Sequence, residues 1–329
     1  MPLAQALGEG LVQYIEPDPP YFAQIARLVD LPGLRNAGLK VVVDSMYGAG
    51  IGYFPALLAG GNTRVTELNN VRNPTFPGMH NPEPIARNLA ALTAGIAQNQ
   101  AHVGLATDGD ADRIGLMDEN GVFINQLQVF ALLLLYHLEV RGKRGPVVKT
   151  VTTTAMAHKL AKLYDIPVYE TPVGFKYVGP TMMETGATMA GAESGGVGFA
   201  GHIPERDGIW MGLTIWEFMA KSGKSLDDLI DEVYAIVGPF KYERNDLHIS
   251  EALKQQVLKA CEEGAYKQIG DRVVRSVETI DGYKFHFDNE QWMMIRASGT
   301  EPVLRCYAES DTLANARKIL ADCQKAIGA

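Results

Sequence analysis

Cysteine is scarce in this sequence: Cys261, Cys306 and Cys323 are the only three, far apart in the chain and without a C-x-x-C pair. That excludes a disulfide framework or a thiolate metal knot and predicts reduced thiols. Long apolar runs are missing too. A bilayer span needs about 20 apolar residues, whereas the longest run, Val129 to Tyr136, reads as part of one buried helix. No basic segment followed by an apolar one stands near Met1, so no secretion signal is read and the cytoplasm is the expected compartment. Positive charge is also in deficit, with 30 Lys and Arg against 38 Asp and Glu and a net charge of −8. A nucleic-acid binder working through a general basic surface is thereby excluded, and no membrane contact is expected. A small anionic substrate is not excluded, because a few well-placed cations can hold a phosphate inside an acidic protein.

What the chain does contain is 47% hydrophobic and 21% charged residues over 329 positions, the balance of a globular protein at a length that predicts two or three domains. Its 34 glycines and 17 prolines are spread along the chain, which fits many short turns rather than a disordered tract.

Short β-branched runs alternate with helical stretches over most of the length. Leu39 to Asp44 reads as a buried strand, Ser45 to Gly52 as a glycine-bearing turn into a helix, and Thr63 to Glu67 as the next strand. A proline-rich loop around Asn73 to Pro84 leads through a helix ending near Gln98 to the strand His102 to Ala106. Ile114 to Met117 is expected to pair with the strand after Asn120-Gly121, a favoured hairpin turn, giving a mostly parallel sheet with one antiparallel excursion. A second unit of the same grammar starts near Gly145, with strands at Pro146 to Lys149, Ile166 to Glu170 and Thr188 to Ala190 and helices around Ala155 to Leu163 and Gly208 to Lys221. From about Asp246 the pattern predicts a helix. Closely spaced strands around Arg272 to Thr279, Tyr283 to Phe287, Trp292 to Arg296 and Val303 to Ala308 follow, and Thr312 to Ile327 closes the chain as a helix.

Three loops could carry chemistry. Asp108-Gly-Asp110-Ala-Asp112-Arg113 follows a strand, where open α/β sheets usually place ligands. Its three carboxylates at alternate positions can turn around one hard cation, and an incomplete oxygen shell suits Mg²⁺; Ca²⁺ is the rival but the distal Glu of an EF-hand is missing. The bland alternative is a solvated acidic turn. Arg296-Ala-Ser298-Gly299-Thr300-Glu-Pro302, with Arg305 beyond, sits between two strands. Gly299 lets backbone N–H groups approach an anion, Ser298 and Thr300 add hydroxyls, and Arg296 or Arg305 offers a planar fork to phosphate, so phosphate binding is preferred over an ordinary polar hairpin. In Gly191-Ala192-Glu193-Ser194-Gly195-Gly196, Glu193 and Ser194 suit sugar hydroxyls, although glycine-rich loops with a Glu also occur for structural reasons. His202 reads as a satisfied loop histidine, and Lys176 as a solvated lysine unless its loop faces a cleft.

Together these loops, with NPEPIARNL, ATDGDADRIGLMDENG, YETPVGFKYVG, ESGGVGFAGHIPERDGI and RASGTEPVLRCYAES, resemble the α-D-phosphohexomutases, the phosphoglucomutases and phosphomannomutases, over nearly the whole chain. The resemblance implies two tandem α/β/α mutase-type domains, at 1–143 and 144–245, and a small α+β phosphate-binding domain at 246–329. It implies a phosphoserine that donates its phosphoryl group to a hexose phosphate, through a bisphosphate intermediate that returns the other phosphoryl group to serine. Asp108, Asp110 and Asp112 become Mg²⁺ ligands and Arg113 lies beside the phosphoserine. Glu193 and Ser194 lie in the sugar-recognition loop, and Arg296, Ser298, Gly299, Thr300 and Arg305 hold the phosphate that is not being transferred. Lys176 and Arg206 are candidate substrate-facing cations, with a solvated surface charge as the alternative for each.

Two departures follow from that resemblance. No T-A-S-H-N-P-type serine loop is found, and Leu11 to Asp30 resembles the family's passage into its second domain, so the phosphoserine domain is expected to be missing. MPLAQALGEG reads as a natural start rather than an affinity tag. The sugar loop usually reads G-E-x-S, and here its acidic position is Ala192, which accepts no hydrogen bond, with Glu193 as a partial substitute. The expectation is a Mg²⁺- and hexose-phosphate-binding mutase relative, incomplete by itself. Its alternatives are a non-catalytic sugar-phosphate sensor or partner subunit, or a fragment complemented in trans by a separate phosphoserine-bearing domain or chain.

Overall fold

Three consecutive valines, Val41 to Val43, have no polar face to offer water, and the chain buries all three inside a sheet covered by helices. The computed structural model describes residues 1–298 and 303–329. Three short helices come first: α1 (Leu3–Gly8), α2 (Asp18–Leu28) and α3 (Leu31–Asn36). The valine strand, β1 (Lys40–Asp44), pairs in parallel with β2 (Arg64–Leu68) and β3 (Val103–Thr107). Antiparallel β4 (Ile114–Asp118) and β5 (Phe123–Ile124) extend the sheet to the order β2-β1-β3-β4-β5. The hairpin turn between the last two is set by Asp118, whose Oδ1 accepts from the N–H groups of Asn120 and Val122, both at 2.8 Å. Helices α4 (Tyr53–Leu58) and α5 (Ala90–Asn99) complete this unit.

The Val129 to Tyr136 run lies in α6 (Gln126–Glu139), which opens with a capping box between Asn125 and Gln128. Every residue from Leu127 to Leu138 is buried, because α6 packs on α7 (Met156–Leu163) as well as on two later helices. The second sheet has β6 (Val147–Thr150) at its centre, parallel with β7 (Val168–Thr171) and β8 (Met189–Gly191), and β9 (Val197–Phe199) antiparallel to β8. Helices α8 (Phe175–Thr185), α9 (Gly208–Ser222) and α10 (Leu226–Val237) flank it, and α9 and α10 are the other partners of α6. One apolar core runs from Val41, Phe54 and Leu105 through Phe130 and Leu133 to Val147, Met189 and Trp210, so the two α/β units pack as one body. No helix among the described residues is long and apolar enough to cross a membrane.

The third unit differs from expectation at its start. Lys241 to His248 is a strand, β10, not a helix; it pairs antiparallel with the long strand near the C-terminus along its whole length, from Lys241 opposite Ser310 to His248 opposite Val303. Its sequence KYERNDLH has no apolar alternation because it is an edge strand carrying charged side chains, so the hydrophobic signal was absent. The helix α11 begins later, at Glu251, after Ser250 caps it by accepting from the Leu253 N–H. Short strands β11 (Gln268–Ile269) and β12 (Arg272–Val273) pair with each other, and β13 (Ser276–Glu278), β14 (Tyr283–His286), β15 (Trp292–Ala297) and β16 (Val303–Ser310) complete an antiparallel sheet of order β10-β16-β15-β14-β13. The continuous apolar run Trp292 to Ile295 is explained by two covered faces. Met293 and Ile295 join Ile319 and Leu320 of α12 (Leu313–Ile327), while Trp292 and Met294 face Val151 of the second unit.

That inter-unit face contains buried charge. Lys149 is fully buried and pairs with Glu170 at 2.6 Å, and Lys284 donates from Nζ to the Val151 carbonyl at 3.0 Å. Burial, with the Lys149 charge beside it, pushes Lys284 down to about 8. Its ordinary value in the unfolded chain is higher, so between these values the unfolded chain binds more protons and stability rises with pH; below that window the charged, buried lysine costs on the order of 3 kcal/mol. We expect Lys284→Met to remove this rise. Urea unfolding at pH 7 and at pH 9.5 should show the wild type gaining on the variant as pH increases; a pH-independent difference would refute the assignment.

Candidate metal and phosphate site

At the carboxyl end of β3 the chain turns sharply through Asp108 to Arg113, with Ala111 in the left-handed region at φ 62°. The turn brings one carboxylate oxygen from each of Asp108, Asp110 and Asp112 to within 4.8 Å of one another. Asp108 is fully buried and is braced by Arg113, whose backbone N–H donates to Oδ1 at 3.0 Å and whose Nε donates to Oδ2. Asp112 is held by Arg206 through an ion pair of 2.6 Å to Oδ2, while its Oδ1 is buried without a hydrogen-bond partner. Asp110 is exposed. Burial and then the neighbouring Asp108 charge push Asp112 up to about 7, and burial raises Asp108 as well. Two arginines therefore do not neutralise three carboxylates. A hard divalent cation fits this donor set: all oxygen, excess negative charge and one orphaned carboxylate oxygen.

Other loops are packed against this turn. Ala49 N–H donates to the Gly109 carbonyl at 3.0 Å, and a Cβ on Gly48 would stand 2.5 Å from that same oxygen. Gly208 N–H donates to the Ala111 carbonyl at 3.0 Å, and a side chain there would meet the Ala111 and Arg113 carbonyls at 2.7 and 2.9 Å. These two glycines bring backbone into contact with the acidic turn, and sequence reasoning had not singled them out. Asp207 caps α9 by accepting from the Trp210 N–H at 2.9 Å, and Tyr21 on α2 donates its hydroxyl to both Asp207 oxygens at 2.9 and 3.0 Å. His202 shares Asp207 at 3.1 Å, as a satisfied loop histidine does. The result is a fixed position for Arg206, which also lies over the Phe175 ring at 5.2 Å.

The glycine-rich loop closes on itself through Ala192 N–H to the Gly196 carbonyl, and Gly195 accepts from the Ile114 N–H of β4 at 3.2 Å. Ala192 is buried and Ser194 exposed. Glu193 reaches the third unit, where the Tyr242 hydroxyl of β10 donates to it at 2.7 Å and Arg244 lies 3.8 Å away. Arg296 donates from Nε to Asp281 at 2.8 Å, and the same Asp281 oxygen accepts from the Val173 N–H of the second unit at 2.9 Å. Arg305 stands opposite Arg296 in the β15–β16 register and 3.8 Å from Asp246. Ser298 is buried, with its N–H donating to the Val303 carbonyl at 2.9 Å. Gly299 and Thr300 lie outside the described residues.

The structure thus gathers Asp108, Asp110, Asp112, Arg113 and Arg206 into one cluster and Arg296, Ser298 and Arg305 into another, with Glu193 tied to β10 between the second and third units. Lys176, in the first turn of α8, is exposed with its ammonium 4.9 Å from the Tyr177 ring centroid. Among the described residues neither Lys176 nor Ser194 joins either cluster by a side-chain hydrogen bond or ion pair.

Comparisons with known proteins match the chain along most of its length. Three domain models of one family match in succession: "Phosphoglucomutase/phosphomannomutase, alpha/beta/alpha domain II" over residues 19–121, the corresponding domain III over 125–237, and the C-terminal domain over 246–326. A phosphoglucomutase/phosphomannomutase of Thermococcus kodakarensis is 35% identical over 301 residues, 92% of this chain and 63% of that one. A phosphoglucosamine mutase of Moorella thermoacetica is 28% identical over 309 residues, 92% of this chain and 63% of that one. A crystal structure from Thermus thermophilus, described as that of a phosphomannomutase, superposes with a TM-score of 0.81 at 32% identity, covering 94% of this chain and 65% of that one. The chain therefore spans a little under two thirds of the length of these relatives.

Proposed function

The chain belongs to the phosphoglucomutase/phosphomannomutase family, the α-D-phosphohexomutases, and from that premise we propose that it binds Mg²⁺ and a hexose phosphate as the metal-, sugar- and phosphate-holding part of a phosphohexomutase. The observation that carries this reading is the cluster of Asp108, Asp110 and Asp112, whose carboxylates converge within 4.8 Å with too little positive charge to neutralise them. Those three residues would hold the Mg²⁺, which when bound supplies charge neutralisation for a phosphoryl group in transfer. Arg113 and Arg206 keep the aspartates in place, and Arg113 borders the position of the phosphoryl donor. Arg296, Ser298 and Arg305, with Gly299 and Thr300, anchor the phosphate that stays on the sugar. Glu193 and Ser194 meet sugar hydroxyls, and Lys176 and Arg206 supply further positive charge toward the substrate. The donor is a phosphoserine on a further domain, whether in the same polypeptide or in a partner chain. Its phosphoryl group passes to a free hydroxyl of the hexose phosphate, and the other phosphoryl group of the resulting bisphosphate returns to the serine. The compartment that goes with this reading is the cytoplasm.

One observation favours a second reading, a sugar-phosphate sensor or partner subunit without turnover: Ala192 offers only a methyl group, and Glu193 is already engaged by Tyr242. Calorimetric titration with glucose 1-phosphate and glucose 6-phosphate, with and without Mg²⁺ and beside a coupled mutase assay, separates the two. We expect Mg²⁺-dependent binding, no turnover by these 329 residues alone, and turnover once a phosphoserine-bearing family domain is added. Binding that stays silent after that addition favours the sensor. Turnover by the chain alone refutes the separate phosphoryl carrier, and absence of binding refutes the reading as a whole.

A further inference from the structure

Alternate residues of a strand point to the same side, so Tyr242, Arg244 and Asp246 of β10 stand in one row. In the antiparallel register they lie opposite Glu309, Tyr307 and Arg305 of β16. At one end of the row the Tyr242 hydroxyl donates to Glu193 Oε1 at 2.7 Å. Burial, then the Glu193 charge, raises that hydroxyl well above its ordinary value, so it stays protonated and keeps donating. In the middle, Arg244 forks onto both oxygens of Asp246, each at 2.7 Å, and comes within 3.8 Å of Glu193 Oε1. At the other end Asp246 lies 3.8 Å from Arg305. One row of side chains therefore runs from the glycine-rich loop of the second unit to the cluster of Arg296, Ser298 and Arg305 in the third.

Glu193 is held through one oxygen. Its Oε1 takes the Tyr242 hydroxyl, while Oε2 makes no hydrogen bond among the described residues and is open to solvent. The side chain is 15% exposed, enough for one oxygen to be reached from outside, and Ser194 beside it is exposed. The loop's own bonds are backbone to backbone, from Ala192 to Gly196 and from Gly195 to Ala192, and do not fix the Glu193 side chain. A carboxylate anchored at one oxygen and open at the other is an oriented acceptor. What orients it belongs to another unit of the fold.

We propose that Tyr242 is a positioning residue for sugar recognition, acting through Glu193 by turning its open oxygen toward a hydroxyl of the bound hexose phosphate. This rests on the reading of the chain as a hexose-phosphate binder. Its consequence is that the third unit, and not the glycine-rich loop alone, sets the preference for a sugar phosphate over a plain phosphate ester. Arg244 and Asp246 carry the tie on to Arg305, so the sugar and phosphate contacts are set from one strand.

Tyr242→Phe removes the donor and keeps the ring, which stands 6.5 Å from the ring centroids of both Trp292 and Tyr307. Glucose 6-phosphate and methyl phosphate, an ester with no sugar hydroxyl, are titrated calorimetrically into the full chain with Mg²⁺ present. We expect Tyr242→Phe to weaken glucose 6-phosphate about tenfold, the size of one hydrogen bond to a charged group. Methyl phosphate should stay within about twofold and Mg²⁺ affinity should be unchanged. In a Glu193→Ala background the tyrosine substitution should cost glucose 6-phosphate binding nothing further, because both changes remove the same contact. A role in the fold alone would weaken both phosphates together, and that result overturns the proposal. So do additive losses in the double variant, or undiminished glucose 6-phosphate binding in Tyr242→Phe; in either case a wild type that binds glucose 6-phosphate leaves the parent reading standing. A wild type that binds neither ligand removes the parent reading, and this inference with it.

Discussion

Asp110→Asn is expected to lower the affinity for Mg²⁺ by roughly thirtyfold or more without destabilising the fold. Asp110 is exposed, so the substitution leaves no buried group unpaired. What it removes is one negative charge facing the cation. Two unit charges about 4 Å apart interact by about 1 kcal/mol in water and about 4 kcal/mol at an effective dielectric of 20. For a divalent cation the loss is therefore at least about 2 kcal/mol, and about 1.4 kcal/mol is a factor of ten. In the metal-free protein the effect on the neighbours has the opposite sign. The Asp110 charge is one of the causes that raise Asp112 and Asp108, so its removal eases their ionisation and leaves stability unchanged or slightly higher. Calorimetric titration with Mg²⁺ and urea unfolding in chelator, on the same preparations, test both halves. Undiminished Mg²⁺ affinity in the variant would show that the cluster is only a solvated turn. Asp108→Asn is a poorer test, because Asp108 is buried against Arg113 and its loss would mix folding with metal binding.

The acidic cluster was legible because its geometry is local. Three carboxylates at alternate positions after a strand converge through one sharp turn, and the distant Arg206 braces a cluster whose members all lie within that turn. The two α/β units were legible for a related reason, since valine-rich strands and the buried α6 announce themselves by apolar content. What the sequence concealed depends on pairing across long separations. Tyr21 holds Asp207 from 186 residues away, Glu193 is taken by Tyr242 across 49, and Arg296 is held by Asp281 across 15. None of these partners shares a motif with the residue it positions. The edge strand β10 was hidden differently: its charged side chains pair with one another, Arg244 with Asp246 at 2.7 Å, and with Arg317 of α12, and so carry no hydrophobic period. The glycines at 48 and 208 were visible as letters, but the need for them arises only from backbone approaching from another loop.

Glu309→Ala is expected to be the most destabilising substitution considered, on the order of 3–5 kcal/mol. Glu309 is 1% exposed on β16 and joins two units. One oxygen accepts from the Thr154 hydroxyl at 2.5 Å; the other accepts from the Ala155 N–H and from Trp292 Nε1, both at 2.8 Å. Alanine would orphan a backbone donor and an indole N–H and remove a negative charge from the neighbourhood of Lys284. Two of the three donors belong to the second unit, so the loss falls on the joint between units rather than inside either core. Calorimetric unfolding should therefore separate into two transitions. Trp292, Met294 and Tyr307, which pack together with Val151, become accessible when the joint opens, so tryptophan emission should shift to the red and proteolysis should begin near Gly238, between α10 and β10. Glu309→Gln separates volume from charge. It fills the same space and keeps one acceptor oxygen, but its amide nitrogen faces a donor, so its cost should fall between those of the wild type and the alanine variant. If Glu309→Ala unfolds in a single transition with less than about 1 kcal/mol of loss, the buried carboxylate does not hold the joint. The joint then rests on the apolar contact of Trp292 and Met294 with Val151 and on the bonds of Lys284 to the Val151 carbonyl, Val173 to Asp281 and Tyr242 to Glu193.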